Sequence, residues 1–345
     1  MNFIPLYLLA FSGAFLCALA ALPLWRKWCV RTGLVDDPGH RKIHHEPVPL
    51  AGGLAVMTGL MVPTLLALIV LGIQSTGFSS ETTGSNAATQ PQTPFFFLNS
   101  EVFGRLLHGL NRRWFELAAI FSGAFGMLIV GVLDDKHELR PATKFTAQFL
   151  VALLIAATGA RITLFVPSVI FSYAVTILWI LTVINAFNFM DNMNGLCGGL
   201  GAIGAFYFAA VSGAAGQYLV ALIASLTCGA LMGFLPYNFP KAKAFLGDAG
   251  SHLTGYLLAV LAILPHFHTE KEPRAWAVFS PLLILAVPLG DLIWVVLLRT
   301  RMSKPFYIGD TNHLSHRLVR RGFSKTKAVL LIWLLALILG LPALF

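Results

Sequence analysis

Long apolar stretches recur along the sequence from one end to the other, and they constrain the fold more than any other feature. A helix needs about 20 consecutive apolar residues to cross the hydrocarbon core of a bilayer. The chain has 345 residues, of which 57% are hydrophobic and only 11% are charged, whereas a soluble domain carries about 25% charged residues. The pattern therefore predicts an all-α, polytopic membrane protein with a single domain over residues 1–345.

The apolar stretches predict about ten transmembrane helices. The first stretch is too long for the apolar core of a signal peptide and has no basic residue before it, so it is interpreted as a retained span. The spans are predicted at roughly 3–25, 50–73, 115–133, 142–159, 168–187, 196–212, 216–235, 251–265, 277–298 and 327–345.

The charges of the predicted loops give an orientation. Most of the 24 Lys and Arg residues fall in or beside alternate loops, namely 26–49, 134–141, 188–195, 236–250 and 299–326. Basic loops face the cytoplasm, so we expect candidate active-site loops on the cytoplasmic face. The long loop 74–114 is then extracytoplasmic, and its Ser-, Thr-, Gly- and Pro-rich part predicts poor order.

The formal net charge of +9 does not indicate a nucleic-acid partner in a chain of this class. Basic residues in membrane proteins set loop orientation and attract anionic lipids or anionic substrates. The four cysteines lie in or beside predicted spans and form no C-x-x-C pair. Neither a disulfide framework nor a zinc site is therefore indicated.

The aspartates fall on or near the predicted cytoplasmic face. Asp134 and Asp135 end the third span, and adjacent carboxylates repel each other unless a cation or a shared proton lies between them. Asp248 lies in GDAGS, where a loop enters a helix whose first backbone amides attract phosphate oxygens. The pattern indicates a metal held by Asp248 against a diphosphate. Solvation of the helix end and simple helix capping are the alternatives.

The stretch NAFNFMDNMNGL places Asn185, Asn188, Asp191 and Asn194 three residues apart at the end of a span. They offer neutral oxygens and one carboxylate. This ligand set suits Mg²⁺, which is bound through one or two carboxylates while phosphates and water complete its shell. Hydrogen bonding between helices is the alternative for Asn185, which lies deepest in the span.

Two basic loops complete this face. The last loop contains His313, His316 and Arg317 among many basic residues, and the first contains Lys42 and His44. Cations beside an acidic metal site indicate a multiply charged anionic substrate. Zinc is the alternative for the histidines of the last loop, but their H-x-x-H spacing has no third His or Cys nearby.

These ordered motifs resemble those of the polyprenyl-phosphate N-acetylhexosamine-1-phosphate transferases (glycosyltransferase family 4), more in the WecA/TagO-like branch than in the related MraY branch. The resemblance covers about residues 34–328. The matching positions are Arg41, Lys42, His44, Pro47, Pro49, Gly52 and Gly53; Asp134, Asp135, Leu139, Pro141 and Lys144; Asn185, Asn188 and Asp191; Phe245 to Ser251; and the loop DTNHLSHRLVRRGFS.

Two motifs depart from the family pattern. The family usually reads D-G-x-D-G-L where residues 191–196 of this chain read DNMNGL, and H-x-H-H where residues 313–316 read HLSH. Asn194 keeps a hydrogen-bonding side chain without charge, which argues against a catalytic base there and leaves nucleotide recognition. Ser315 removes one imidazole, so the resemblance leaves contact with the diphosphate to His313, His316 and Arg317.

The resemblance implies a reaction. The family transfers a sugar 1-phosphate from a UDP-sugar to a membrane polyprenyl phosphate and releases UMP. It implies that this chain is a phosphotransferase that joins N-acetylglucosamine 1-phosphate to undecaprenyl phosphate and initiates cell-envelope glycan synthesis. The implied location is the bacterial cytoplasmic membrane, with the active site facing the cytoplasm. UDP-MurNAc-pentapeptide as donor, and an ion-coupled carrier built around Asp291, are the alternatives.

The resemblance also implies ligands and roles. The implied partners are undecaprenyl phosphate, a UDP-sugar and the bilayer, with no nucleic acid, and a homodimer is left open. Mg²⁺, or Mn²⁺ in its place, is expected on Asn188 and Asp248. The expected catalytic residues are Asp134, Asp135, Asp191, His313 and His316. The expected substrate-binding residues are Lys42, His44, Lys144, Asn185, Asn194, Phe245 and Arg317.

Overall fold

A computed structural model describes residues 3–37, 47–81, 100–265, 275–305 and 311–345. Lys42 and His44, which are expected to bind substrate, lie outside these ranges, as does the 82–99 part of the long loop. In the described residues, one antiparallel pair of two-residue strands joins β1 (Val35–Asp36) to β2 (Val48–Pro49), and helices with their connecting turns make up the rest. The prediction of an all-α polytopic fold is confirmed.

Helices cover every predicted span. Within the described ranges the α-helices are α1 (Ile4–Thr32), α2 (Gly52–Glu81), α3 (Ser100–His137), α4 (Pro141–Ala157), α5 (Val169–Met190), α6 (Leu196–Ala214), α7 (Tyr218–Asn238), α8 (Gly247–Leu261), α9 (Ser280–Ile284), α10 (Ala286–Arg301), α11 (Leu314–Arg320) and α12 (Lys325–Gly340).

The number of helices that can span a bilayer is smaller than predicted. In the described part of the chain, seven helices are long and apolar enough, and the segments Ala277–Ile284 and Ala286–Arg301 would together make an eighth across a bend of 69°. The helix α4 has 17 residues and α8 has 15, both short for a hydrocarbon core about 30 Å thick. The predicted segments are therefore helices, as expected. Fewer than ten of the described helices are long and apolar enough to span a bilayer, so the predicted number of spans is not reached.

The helix α8 lies at the centre of the bundle. All of its residues except Asp248 are buried, and it packs against α2, α3, α5 and α6. A helix that is apolar on all sides is typical of the core of a large protein. Its single solvent-accessible side chain, Asp248, stands at its amino-terminal end.

Small residues let neighbouring backbones contact the first turn of α8. A Cβ atom added to Gly131 of α3 would lie 2.5 Å from the carbonyl carbon of Asp248, and one added to Gly53 of α2 would lie 2.6 Å from the amide nitrogen of Gly250. No side chain fits at such distances. The start of α8 is therefore fixed between two helix backbones, which allows little displacement.

We expect Gly131→Ala to lower the thermal unfolding midpoint in detergent, because the added methyl group overlaps the backbone of α8 and overpacking costs about 1–3 kcal/mol. Gly126→Ala on the same helix is the matched control. Its added Cβ would lie 3.4 Å from a Val151 methyl group, so the better helix propensity of alanine should leave stability unchanged or improved. Equal midpoints for the two variants would contradict the close approach.

Candidate active site

The carboxylate of Asp135, at the end of α3, binds the start of α8. Its Oδ1 accepts a hydrogen bond from the Asp248 N–H at 2.8 Å, and its Oδ2 accepts one from the Ala249 N–H at 3.1 Å. The first N–H groups of a helix lack intrahelical partners and carry the positive end of its dipole, so a carboxylate is stabilised there. The expectation that these amides attract a phosphate is wrong for these two, because Asp135 already uses them.

Glycine is required beside this contact. Gly247 has a φ of +72°, in the left-handed region, and a Cβ atom there would lie 2.7 Å from Oδ2 of Asp135. The residue therefore allows both the turn into α8 and the approach of the carboxylate.

Lys144 of α4 links two further carboxylates. Its ammonium group forms an ion pair with Asp134 and lies 3.6 Å from Oδ2 of Asp248. Asp134 is only 3% exposed, and its Oδ1 also accepts the N–H of Leu139 at 2.9 Å. Because a buried carboxylate without a partner is costly, the lysine keeps Asp134 in place and brings positive charge next to Asp248.

The end of α5 brings Asn188 to the same point. Its Nδ2 donates to Oδ1 of Asp248 at 2.7 Å and to Oγ of Ser251 at 3.0 Å. The two residues expected to hold the metal are therefore in direct contact, although they lie 60 positions apart in the sequence.

Asp191 follows at the end of α5 and is surrounded by other acids. Burial raises the pKa of Asp191 to about 8, and the negative charges of Asp248 and Asp135 contribute to the shift. The carboxyl group is therefore mostly protonated at neutral pH when no cation is nearby. Strongly shifted acids of this kind are typical of sites that bind cations or move protons.

A cavity of about 1000 Å³ opens beside these acids, a size typical of sites for small molecules. Lys241 and Lys325 also line it. Both lysines fall in loops predicted to be basic and cytoplasmic, but neither was predicted to be a site residue. The residues of the expected site that line the cavity are Asp135, Asn188, Asp191, Asn194, Phe245, Asp248 and His316.

Hydrogen bonds fix two of these cavity residues, Phe245 through its backbone and Asn194 through its side chain. The Phe245 N–H donates to the Pro49 carbonyl at 3.0 Å, and the Phe245 carbonyl accepts the Gly52 N–H at 2.9 Å. On the other wall, Nδ2 of Asn194 donates to the Pro240 carbonyl at 3.2 Å. The aromatic ring and the amide therefore belong to segments that are fixed to the bundle.

The two histidines of the last loop have different surroundings. Nδ1 of His313 lies 2.6 Å from Oδ2 of Asp291, and both residues are buried. Oδ1 of Asp291 accepts the Leu314 N–H at 2.6 Å. His316 lines the cavity instead. Burial lowers the pKa of His316, and the neighbouring His313 lowers it further, so the ring is mostly neutral at pH 7 and acts through hydrogen bonds.

The residues at the start of α8 fit a divalent cation. Asp134, Asp248 and His252 bring potential ligand atoms within 4.8 Å of one another. His252 is 1% exposed, and its Nδ1 has no hydrogen-bond partner among the described residues. His252 was not predicted as a site residue, although it follows Asp248 by four positions and so lies on the same helix face. The two carboxylates suit Mg²⁺ or Mn²⁺, whereas the imidazole nitrogen is a less common ligand for Mg²⁺, which prefers oxygen.

Comparison with known proteins identifies the family of this chain. Residues 117–266 match the sequence profile of Glycosyl transferase family 4. A probable undecaprenyl-phosphate N-acetylglucosaminyl 1-phosphate transferase of Bacillus subtilis is 30% identical over 342 residues, which cover 97% of this chain and 83% of that protein. The chain belongs to glycosyl transferase family 4.

Other relatives have similar names. The decaprenyl-phosphate N-acetylglucosaminephosphotransferase of Mycobacterium tuberculosis is 30% identical over 355 residues, covering 95% of this chain and 79% of that protein. The undecaprenyl-phosphate alpha-N-acetylglucosaminyl 1-phosphate transferase of Yersinia pestis is 28% identical over 344 residues, covering 95% of this chain and 80% of that protein. The family resemblance seen in the sequence is thereby confirmed.

Two residues that the family resemblance implies for substrate binding point elsewhere. Nδ2 of Asn185 donates to Oε1 of Gln148 at 2.9 Å. This is a hydrogen bond between helices, which was the alternative to substrate binding for Asn185. The guanidinium of Arg317 lies over the ring of Trp294, 4.6 Å from its centre. Neither residue lines the cavity.

We expect the binding of Mg²⁺ to release a proton at pH 7. A cation beside Asp191 favours its ionised carboxylate. Because the pKa of Asp191 is about 8, the group is mostly protonated at pH 7 and must lose this proton when the cation binds. The apparent affinity for Mg²⁺ should rise by up to about tenfold per pH unit below pH 8 and level off above it. Calorimetry in buffers of different ionisation enthalpy measures the released proton.

Asp191→Asn is the control for this titration, because an amide cannot lose the proton. The variant should release fewer protons when it binds Mg²⁺ and should show a flatter pH dependence. A wild-type affinity that does not change between pH 6 and pH 8 would show that Asp191 does not titrate at the site.

Proposed function

We propose that the protein is a Mg²⁺-dependent enzyme that transfers N-acetylglucosamine 1-phosphate from UDP-N-acetylglucosamine to undecaprenyl phosphate. The observation that carries the proposal is the convergence of Asn188, Asp191 and Asp248 on a cavity that also presents lysines and a histidine. Acids with an adjacent cationic wall suit a metal-bound diphosphate. The names of the relatives support N-acetylglucosamine as the sugar and a polyprenyl phosphate as the acceptor.

The reaction is a phosphoryl transfer whose atoms balance without a further reactant. An oxygen of the lipid phosphate attacks the phosphorus that carries the sugar. The bond from this phosphorus to the oxygen bridging to uridine monophosphate breaks, and UMP leaves. A phosphate monoester has a second pKa of about 6, so the attacking oxygen is already ionised at pH 7. Positioning and neutralisation of charge therefore matter more than proton abstraction.

Side chains at the start of α8 and the end of α5 would hold the cation, and neighbouring charged residues would keep these side chains in place. Asn188 and Asp248 would ligate Mg²⁺, or Mn²⁺ in its place, with His252 as a further donor. When bound, the ion supplies positive charge at the phosphoryl oxygens. Asp135 holds Asp248 by capping α8, and Lys144 keeps the carboxylates of Asp134 and Asp248 together.

The cavity walls would bind the rest of the donor. Lys241 and Lys325 would neutralise the phosphates, since lysine ammonium groups bind phosphate as point charges. His316, being mostly neutral, would hydrogen-bond a phosphate oxygen or a sugar hydroxyl. The ring of Phe245 would stack on uracil, and the Asn194 amide would contact the nucleotide. Asp191, ionised when the cation is bound, would orient water molecules on the cation.

The proposed orientation puts this site at the cytoplasmic face of the bacterial inner membrane, within a single transferase domain over residues 1–345. Two observations support it. The ends of α3 and α5 and the start of α8 carry the acidic residues, the start of α4 carries Lys144, and these helix ends meet at one end of the bundle. The basic loops predicted on that side satisfy the positive-inside pattern.

We expect purified protein in detergent to release UMP from UDP-N-acetylglucosamine only when undecaprenyl phosphate and Mg²⁺ are present. Asp248→Asn should reduce the rate by about 10²–10³-fold, because it removes a charge that acts on the transferring group. Glu101→Gln is the matched control, since it removes an exposed carboxylate at the far end of α3 and should leave the rate unchanged. The assay measures UMP and the lipid product.

A panel of UDP-sugars in the same assay distinguishes the alternatives. UMP release only with UDP-MurNAc-pentapeptide would support the same reaction with this sugar nucleotide as the donor. No turnover with any donor, in protein shown to be folded, would contradict the transferase. The carrier alternative has lost its main support, because Asp291 is paired with His313 and the start of α11.

A further inference from the structure

Two positions where this chain departs from its family pattern contact each other. The pattern has glycine where this chain has Asn192 and histidine where it has Ser315. The Ser315 hydroxyl donates to Oδ1 of Asn192 at 2.6 Å, although the residues are 123 positions apart. Nδ2 of Asn192 donates to the Phe189 carbonyl at 2.7 Å. Both polar ends of the Asn192 side chain are thus used to connect the end of α5 with α11.

The two departures compensate each other in size. Asparagine with serine contains the same number of side-chain heavy atoms as glycine with histidine. Ser315 is 0% exposed, so an imidazole at its position would need the space that the Asn192 side chain fills. Asn192 does not have a positive φ, so the backbone does not require a glycine there. Exchange of both residues conserves volume, whereas exchange of one does not.

This contact holds an element that has little stability of its own. The helix α11 has seven residues, and a helix this short is not stable in isolation. Asp291 of α10 holds the start of this helix through His313 and the Leu314 N–H. Asn192 holds it through Ser315. His316, the next residue, lines the cavity together with Asn192.

We propose that Asn192 and Ser315 are a matched pair of positioning residues, which sets the distance between α11 and the loop 191–195 and thereby places His316 against the anionic substrate. Neither residue of the pair can be changed without the other. The part that concerns the substrate rests on the proposed function, whereas the pairing itself does not.

A double-mutant cycle tests the pairing with Asn192→Gly, Ser315→His and the variant that carries both changes. The first leaves a void and a buried hydroxyl without its acceptor, and the second overfills the site. We expect each single variant to lower the thermal midpoint and to reduce kcat/KM by about tenfold or more. The double variant should recover most of both, with a coupling of at least about tenfold. Single effects that simply multiply in the double variant would overturn the pairing.

A second cycle distinguishes positioning of His316 from general stability. Asn192→Gly is made in the wild type and in the His316→Ala variant. If the pair acts through His316, Asn192→Gly should reduce kcat much less in the His316→Ala background than in the wild type. The thermal midpoint should fall equally in both backgrounds. Equal fold losses of kcat in the two backgrounds would contradict the positioning role.

Two further measurements keep the proposal testable. If Ser315→His does not fold, Ser315→Ala removes the hydroxyl without adding volume, and its thermal effect should be smaller in the presence of Asn192→Gly than alone. The thermal cycle needs no substrate. Thermal coupling without UMP release would support the matched pair and contradict the proposed function. UMP release without thermal coupling would support the proposed function and contradict the matched pair.

Discussion

The carboxylate of Asp135 on the first two N–H groups of α8 is the contact on which the rest of the site depends. It joins the end of α3 to the start of the central helix, and it fixes Asp248, whose own N–H it binds. The contact needs Gly247 in a left-handed conformation and Gly131 at a close approach of two backbones. A charge-assisted bond to a helix start is short and directional, so it fixes position in a way that apolar packing alone does not.

The acids then require positive charge. Asp134, Asp135, Asp191 and Asp248 are gathered where water is partly excluded, and repulsion between them would raise the free energy of the folded state if all were ionised. The N–H groups of α8 stabilise Asp135, the Lys144 ammonium group lies between Asp134 and Asp248, and the raised pKa of Asp191 lets this acid keep its proton. A divalent cation would lower the repulsion further, so the charges that make the cluster costly also favour the binding of a cation.

Sequence reasoning located the helices and the acids because both depend on local signals, namely apolar length and Asp residues at the ends of spans. It could not locate contacts that depend on the direction of a side chain in the packed bundle. Asn185 turns to Gln148 and Arg317 to Trp294, although their spacing alone would suit the site. Lys241 was missed because a single lysine carries no signal until its neighbours are known, whereas the four-residue spacing of Asp248 and His252 is a local signal that was available. The predicted spans 142–159 and 251–265 were already about as short as α4 and α8, so the excess in the predicted number of spans came from counting every apolar stretch as a span.

The placement of α11 shows how a membrane protein can fix a short helix beside a cavity. Apolar packing in a bilayer discriminates weakly between positions, because lipid tails are as apolar as the side chains they replace. Polar contacts at helix ends discriminate strongly, since a misplaced helix leaves buried donors and acceptors without partners. Asp291 and Asn192 each bind a residue at the start of α11, so two separate polar contacts fix this short helix against α10 and the end of α5.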